Sequence, residues 1–480
     1  MSIGPATSKK DAEVVVGRTQ SVCPVCLKRV PAERVMAGDS VYLRKTCPEH
    51  GRFQTIIWRG PPDYLSWSLP KRPEPPKVCQ TQTRKGCPFD CGLCPGHQQQ
   101  ICCALIEVTR RCNLRCPVCF ASAGEEGVAG DPTLEELLAQ LQTIWNTTGG
   151  CNIQLSGGEP TVRDDLPDII REARTLGYTF FQLNTNGIRL GEDPGYAQAL
   201  ARAGLSTVFL QFDGTRDDIY LRLRGRGLFE AKQRAIESCG RHQLGVVLVP
   251  TLVPGVNTDN IGDMVRYALK GLPVIRGVHF QPMGYFGRYP AAPLDEDRFT
   301  LPEVLRALEE QTDGLLRVPH FAPSDCESPL CSFHGDFIYM PDGRLTPSGK
   351  KQNACCSSPE EGRAGSVSRA QNFVARRWQM ERPRACCPRE GRSEEQDSWD
   401  AVLDRVRNNR LSITCMVYQD AGNLDLERLK YCCVPVIDGG RAVPFCAYNL
   451  TSRDGDSLYR GRAAAPRAGA PGAQGRGMKL

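Results

Sequence analysis

At 480 residues the chain is long for one compact core, and a rule of roughly one domain per 150 residues points to about three units. Hydrophobic residues make up 40% and charged residues 24%, proportions of a globular protein that exclude bulk disorder, and the formal charge of +6 is spread along the chain, which does not point to nucleic acid. No run of about 18 apolar residues exists to cross a bilayer and no secretory apolar stretch opens the chain, so the expected location is cytoplasmic, with peripheral membrane contact left open. In that reducing compartment the 24 cysteines cannot be read as a disulfide framework, which leaves metal ligation.

Residues 1–20 carry no clear pattern and are expected to be disordered. Over 21–70, Cys23-Pro-Val-Cys26 and Cys47-Pro-Glu-His50 have the look of half a zinc ribbon or rubredoxin-like knuckle. Its fourth ligand is His50 or a cysteine such as Cys79, its metal a structural zinc or mononuclear iron, and its role is to fold a small domain of its own. Residues 71–103 begin with KRPEPPKV, an extended linker. They continue into Cys87-Pro-Phe-Asp-Cys91-Gly-Leu-Cys94, read as an auxiliary iron-sulfur site completed by a distant cysteine, or as a zinc site with His97.

From residue 104 to about 310, short apolar runs alternate with amphipathic segments. Strands are expected at 104–109, 152–155, 179–183, 207–212, 246–252 and 277–281. The crossovers read as helices: Thr133-Leu-Glu-Glu136 has capping-box spacing, and Leu166, Ile169, Ile170 and Ala173 form one stripe. Six such units give an α/β fold, a partial (βα)6 TIM-like barrel, whose ligands gather at the strand C-terminal ends.

The first strand runs into Arg110-Arg111-Cys112-Asn-Leu-Arg-Cys116-Pro-Val-Cys119. Three thiolates on one loop can hold three irons of a four-iron cluster and leave the fourth open; a closed site completed by a fourth cysteine is the alternative. The second strand ends in Ser156-Gly157-Gly158-Glu159-Pro160, where paired glycines permit close backbone approach and the carboxylate suits a cationic group.

These residues resemble the radical S-adenosylmethionine (SAM) superfamily over roughly residues 100–290. The resemblance implies cluster ligation by Cys112, Cys116 and Cys119, with SAM chelating the free iron, and a methionine amino group held at Gly157, Gly158, Glu159 and Pro160. It implies ribose contacts at Asn184 and Asn186, further contacts at Gln211 and Asp213, and adenine flanked by Val249 to Leu252 and by Val118, a position often aromatic in the family. Reductive cleavage of SAM to a 5'-deoxyadenosyl radical and hydrogen abstraction from a substrate carbon follow from it, with flavodoxin or ferredoxin as electron donor.

Over 311–450, Cys326, Cys331, Cys415, Cys432 and Cys446 are expected to hold at least one auxiliary four-iron cluster in a separate cysteine-rich region, ahead of a disordered tail at 451–480. The pairs Cys355-Cys356, Cys386-Cys387 and Cys432-Cys433 cannot be apportioned, and the lone Cys151 and Cys239 read as small buried hydrophobes. KTCPEHG, KGCPFDCGLCPGH, VHFQPMGYFGRYP and PFCAYN resemble the branch of tetraether lipid synthases and pterin-modifying radical SAM methylases, and a related bacterial group that includes selenoproteins. The resemblance implies C–C bond formation or methylation on a lipid, pterin or other small molecule. A peptide-modifying maturase, and a non-catalytic iron-sulfur electron carrier, are the alternatives.

Overall fold

A computed structural model describes residues 13–68, 71–124, 130–348, 365–380 and 405–460. Cys355, Cys356, Cys386 and Cys387 lie outside them.

Strands β1 (Val14–Val22), β2 (Arg29–Ala37), β3 (Ser40–Cys47) and β4 (Gly51–Arg59) form an antiparallel sheet in the order 1-2-3-4. Residues 14–20, expected to be disordered, belong to β1; most of its side chains stay at least partly exposed, so it lacks the apolar alternation that betrays a strand. The ribbon is not free-standing. Trp58, Tyr64 and Trp67 join the main core, and buried Lys45 donates to the Ser21 hydroxyl (3.0 Å) and the Ala421 carbonyl (2.7 Å). Arg34 and buried Asp425 pair at 2.7 Å across the same seam.

The central sheet contains six consecutive parallel strands: β5 (Cys103–Thr109), β6 (Asn152–Gly157), β7 (Phe181–Thr185), β8 (Thr207–Gln211), β9 (Gly245–Val249) and, beyond the short β10 (Thr251–Leu252), β11 (Ile275–Pro282). The expected strand 246–252 is split at Pro250, which has no N–H for the ladder. Helices cover the outer face as the pattern requires. Leu134–Thr148 starts in the Thr133/Glu136 capping box, and Leu166–Thr175 buries Leu166, Ile169, Ile170 and Ala173. Each fully buried leucine or isoleucine side chain among them contributes roughly 1.5–3 kcal/mol.

The C-terminal third is not a separate body, because its strands extend both edges of this sheet and cover otherwise unpaired backbone. β15 (Arg410–Met416) pairs parallel with β11, and β13 (Ser332–Tyr339) pairs antiparallel with β15, flanked by β12 (Ala322–Pro323) and β14 (Leu345–Pro347). At the other edge β16 (Pro435–Asp438) joins β5 and turns back into β17 (Arg441–Pro444). Helix Ser366–Arg377 delivers Trp378 into the N-terminal end of the barrel, 5.3 Å from the Phe209 ring, with its carbonyl accepting from the Thr207 hydroxyl. Residues 451–460, expected to be disordered, are also ordered: Arg460 forms a buried pair with Glu107 on β5.

Candidate active site and metal centres

The cysteine loop leaves β5 at Thr109 and is held from four directions. Gly158 N–H donates to Thr109 O and Glu159 N–H to Arg111 O, both at 2.9 Å. A side chain at Gly157 would overlap the Thr109 carbonyl, and one at Gly158 would lie 2.8 Å from the Arg111 carbonyl carbon and closer still to its oxygen. The paired glycines therefore dock the loop onto the end of β6. On the far side Cys119 exchanges backbone hydrogen bonds with Arg288 (2.9 and 3.0 Å), whose Nε donates to Cys116 O at 2.8 Å. Arg224 Nη1 donates to Val118 O (3.2 Å), and Asn186 Nδ2 to Asn113 Oδ1 (2.7 Å).

Cys112, Cys116 and Cys119, all partly exposed, line a cavity of about 220 Å³ at the C-terminal ends of the strands. Burial pushes the Cys112 thiol up to about 12 and raises that of Cys116, so an anionic form needs a cation at the loop. Three soft thiolates beside an accessible cavity fit an iron-sulfur cluster with one open iron. Arg224 supplies fixed positive charge: burial opposes its ionisation, but Asp213 and the Cys116 thiol more than offset this and raise its pKa.

Gly157, Gly158, Glu159, Val118, Asn184, Asn186, Gln211 and Val249 also line the cavity. Pro160 and Asp213 stand behind its wall. The Asp213 carboxylate is fully buried and takes Arg224 in a bidentate pair (both 2.7 Å), together with the Gln211 amide at 2.7 Å. Leu252 is in the core. Glu159, expected to face a cationic group, lines the cavity while accepting from Thr161 N–H (3.1 Å), the Thr161 and Thr185 hydroxyls (both 2.6 Å) and Asn186 N–H (2.7 Å), which ties β6 to β7.

The inner wall carries amides in series. Gln154 Nε2 donates to Asn184 Oδ1 at 2.6 Å, buried Lys232 donates to Gln211 Oε1 at 3.1 Å, and Gln281 Nε2 donates to the Tyr418 hydroxyl at 3.2 Å. The outer wall is aromatic: Tyr418, Phe120 and Phe286 surround Phe445 at ring separations of 4.6, 5.6 and 6.2 Å. Arg224, Arg288, Lys232, Tyr418 and Phe445 were not legible as site residues. Arg224 lies in the basic C-terminal turn of a short helix, like an ordinary solvated cation.

The other cysteines separate into groups. Cys23, Cys26, Cys47 and His50 place their ligand atoms within 4.8 Å of one another, with Cys26 Sγ to Cys47 Sγ at 4.0 Å, a spread that fits a tetrahedral metal ion; His50 completes the group, and Cys79 is elsewhere and exposed. Cys87 and Cys91 are in contact, the Cys91 thiol lowering the pKa of Cys87. His97 turns away from them, its Nε2 2.9 Å from Cys432 O, and burial lowers its pKa to about 4. Cys331, Cys432 and Cys446 line a second, smaller cavity with buried Arg428, whose Nη2 is 3.3 Å from Cys331 Sγ. Cys326 belongs to neither; it converges with Cys102 and Cys433. Cys415, expected to be a ligand, packs in the main core on the outward face of β15 with Leu411 and Ile413. Cys151 and Cys239 are buried in that core as well.

The family description Radical SAM superfamily matches residues 106–268, and HMPTM N-terminal zinc ribbon domain matches residues 15–59. The chain is 34% identical over 482 residues to the 7,8-dihydro-6-hydroxymethylpterin dimethyltransferase of Methanocaldococcus jannaschii, spanning 91% of this chain and 94% of that protein. It is 30% identical to the probable GTP 3',8-cyclase of Thermococcus kodakarensis over 40% of this chain and 63% of the cyclase. Among solved structures, Streptococcus suis SuiB bound to its precursor peptide SuiA aligns with 16% identity and a TM-score of 0.38 over 45% of this chain and 46% of SuiB, too loose a likeness to inform function.

Proposed function

The chain belongs to the radical SAM superfamily, and we propose that it is a methyltransferase acting on a flat nitrogen heterocycle of the reduced pterin class. The observation that carries this reading is the cavity: three thiols on one side, a row of amides on its inner wall and a cage of aromatic rings outside. Amide side chains offer donor and acceptor together and suit the alternating edge of a pterin ring, whereas rings suit its face. The end-to-end similarity to a pterin dimethyltransferase supports the same choice.

In this reading Cys112, Cys116 and Cys119 hold the four-iron cluster, and SAM lies against Val118, Gly157, Gly158, Asn184, Asn186 and Gln211. The chemistry that cluster and SAM supply when bound is one-electron cleavage of the sulfonium to a 5'-deoxyadenosyl radical. The chain's own part is to fix positions. The glycines set the loop's depth, Arg224 balances thiolate charge, and Asp213 holds Arg224 in place. Lys232 orients the Gln211 amide, while Tyr418, Phe445, Phe120 and Phe286 exclude water from the mouth. The cavity lined by Cys331, Cys432 and Cys446, and the Cys87, Cys91 and Cys94 loop, are proposed auxiliary cluster sites, with the electron drawn from a flavodoxin- or ferredoxin-type donor. No helix among the described residues is long and apolar enough to cross a membrane.

The test is incubation of the reconstituted enzyme with a reductant, 7,8-dihydro-6-hydroxymethylpterin and excess SAM, one molecule serving as radical source and a second as sulfonium methyl donor, followed by mass spectrometry of the pterin. One or two added methyl groups are expected, and their loss in Gln154→Ala and Gln281→Ala with uncoupled SAM cleavage retained. Cleavage of SAM without any change to the pterin, stimulated instead by a peptide or lipid, overturns the substrate assignment.

A further inference from the structure

We propose that Cys102, Cys326 and Cys433 form a mononuclear site for a thiophilic divalent cation of the zinc class, separate from the cluster loop and the ribbon and sharing the wall of the auxiliary cavity at Cys433. The three thiols come from three distant stretches: the residue before β5, the turn between β12 and β13, and the approach to β16. Their Sγ atoms all lie within 4.8 Å of one another, and Cys102 and Cys433 are 3.0 Å apart. Among the described residues one other group converges so tightly, the ribbon's Cys23, Cys26, Cys47 and His50.

Spacing decides the kind of metal. Sulfur atoms on one tetrahedral ion with bonds of about 2.3 Å stand about 3.8 Å apart. Thiolates on separate corners of a four-iron cube are held farther apart by the cube itself. Cys112, Cys116 and Cys119 do not meet the tight limit, nor do Cys331, Cys432 and Cys446. The Cys102 group does, with Cys102 and Cys433 parting by about 0.8 Å from 3.0 Å to take a metal, and so resembles the ribbon rather than the cluster loop.

The surroundings are built for a buried cation with anionic ligands. Cys326 and Cys433 are 0% and 1% exposed, where bare thiolates would be costly. The Cys433 carbonyl accepts from Cys102 N–H (2.9 Å) and Cys103 N–H (3.4 Å), fixing two of the ligands against each other. Lys71 donates to the carbonyls of Asp325 (2.8 Å), Cys326 and Glu327 (2.7 Å), and Gln99 also donates to Cys326 O, so the Cys326 turn is gripped from outside the triad. Glu327 Oε2, 3.7 Å from Cys433 Sγ and held by the Ser324 hydroxyl at 2.9 Å, is the nearest carboxylate for a fourth position.

The site also apportions the doubled cysteines. Cys432 faces the auxiliary cavity with Cys331 and Cys446, while its neighbour Cys433 lines that cavity and closes the tight triad; Cys102 joins the triad while Cys103 neighbours Cys151. One ion would pin the linker and both C-terminal stretches to the start of β5 and set one wall of the auxiliary cavity.

Zinc and iron per chain, measured in the anaerobically purified full-length protein and in Cys326→Ser, test this. Zinc is expected to fall by one per chain with iron unchanged, and Cys415→Ser, in the main core and away from both groups, is expected to change neither. Should Cys326→Ser fail to fold, the intact protein still answers: a zinc-selective chelator should expose Cys102, Cys326 and Cys433 together to alkylation while iron is retained. Equal zinc in both proteins, loss of iron in Cys326→Ser, prior alkylation of all three thiols, or a Cys102–Cys433 disulfide in the peptide map overturns the proposal.

Discussion

Replacing Gly158 with alanine tests how the GGEP segment acts. If its role is to bring β6 against the cysteine loop, a single methyl group should displace the loop without touching a thiol. The added Cβ would stand 2.8 Å from the Arg111 carbonyl carbon, with Arg110 O at 2.9 Å, where ordinary contact begins at 3.4 Å. These neighbours are backbone, so none can swing aside, and to clear the Arg111 oxygen, which is closer still, the loop must retreat by about an ångström. Overpacking of this kind costs about 1–3 kcal/mol. A shift near 1 Å at a reacting centre lowers a rate by about 10²-fold. The assay is 5'-deoxyadenosine release at saturating SAM, normalised to bound iron, with Gly130→Ala as control because a Cβ there meets nothing within 4 Å. Gly158→Ala should lose iron, or keep it and slow by about two orders of magnitude, while Gly130→Ala stays at the wild-type rate. Wild-type iron and rate in Gly158→Ala would refute the docking argument.

Three more outcomes follow from buried groups. Arg224→Met strands the Asp213 carboxylate with the Gln211 amide and Thr251 N–H as partners, so urea unfolding should show a loss of about 3–5 kcal/mol, partly recovered in the double variant with Asp213→Asn; a loss below about 1 kcal/mol contradicts the pairing. Trp378→Ala should cost about 3–5 kcal/mol by opening the base of the barrel, and Trp378→Phe much less, read from the urea midpoints. Burial lowers Lys45 and Lys232 to about 7, so each is neutral in the folded protein and charged in the unfolded chain between about pH 7 and 10.5. Folding releases those protons and gains stability as pH rises through that window. Relative to Lys45→Met, the wild type should therefore gain stability from pH 7 to 10, and a constant difference between them contradicts this.

What was legible was local. Six apolar runs and the stripes between them gave the barrel, since period and length survive without tertiary context; Leu166, Ile169, Ile170 and Ala173 face inward as read. The cysteine loop was readable because its thiols are close in sequence. What escaped depends on contacts across the chain. β1 hid because its valines are largely exposed, and the C-terminal strands hid their place because their pattern does not say which sheet edge they complete. Arg224 gave no signal because burial, not sequence, turns a surface-like arginine into a partner of Asp213. Cys326 was grouped with Cys331 by proximity in the chain, whereas the fold joins it to Cys102 and Cys433.

The division between the cluster loop and the metal ribbon is tested most directly by chromatography of nucleosides after anaerobic incubation of the reconstituted protein with SAM and dithionite. The wild type should release 5'-deoxyadenosine, Cys116→Ala none, and Cys47→Ser a reduced but clear amount. No nucleoside from fully iron-loaded wild type, or complete loss in Cys47→Ser with its cluster retained, would contradict the assignment.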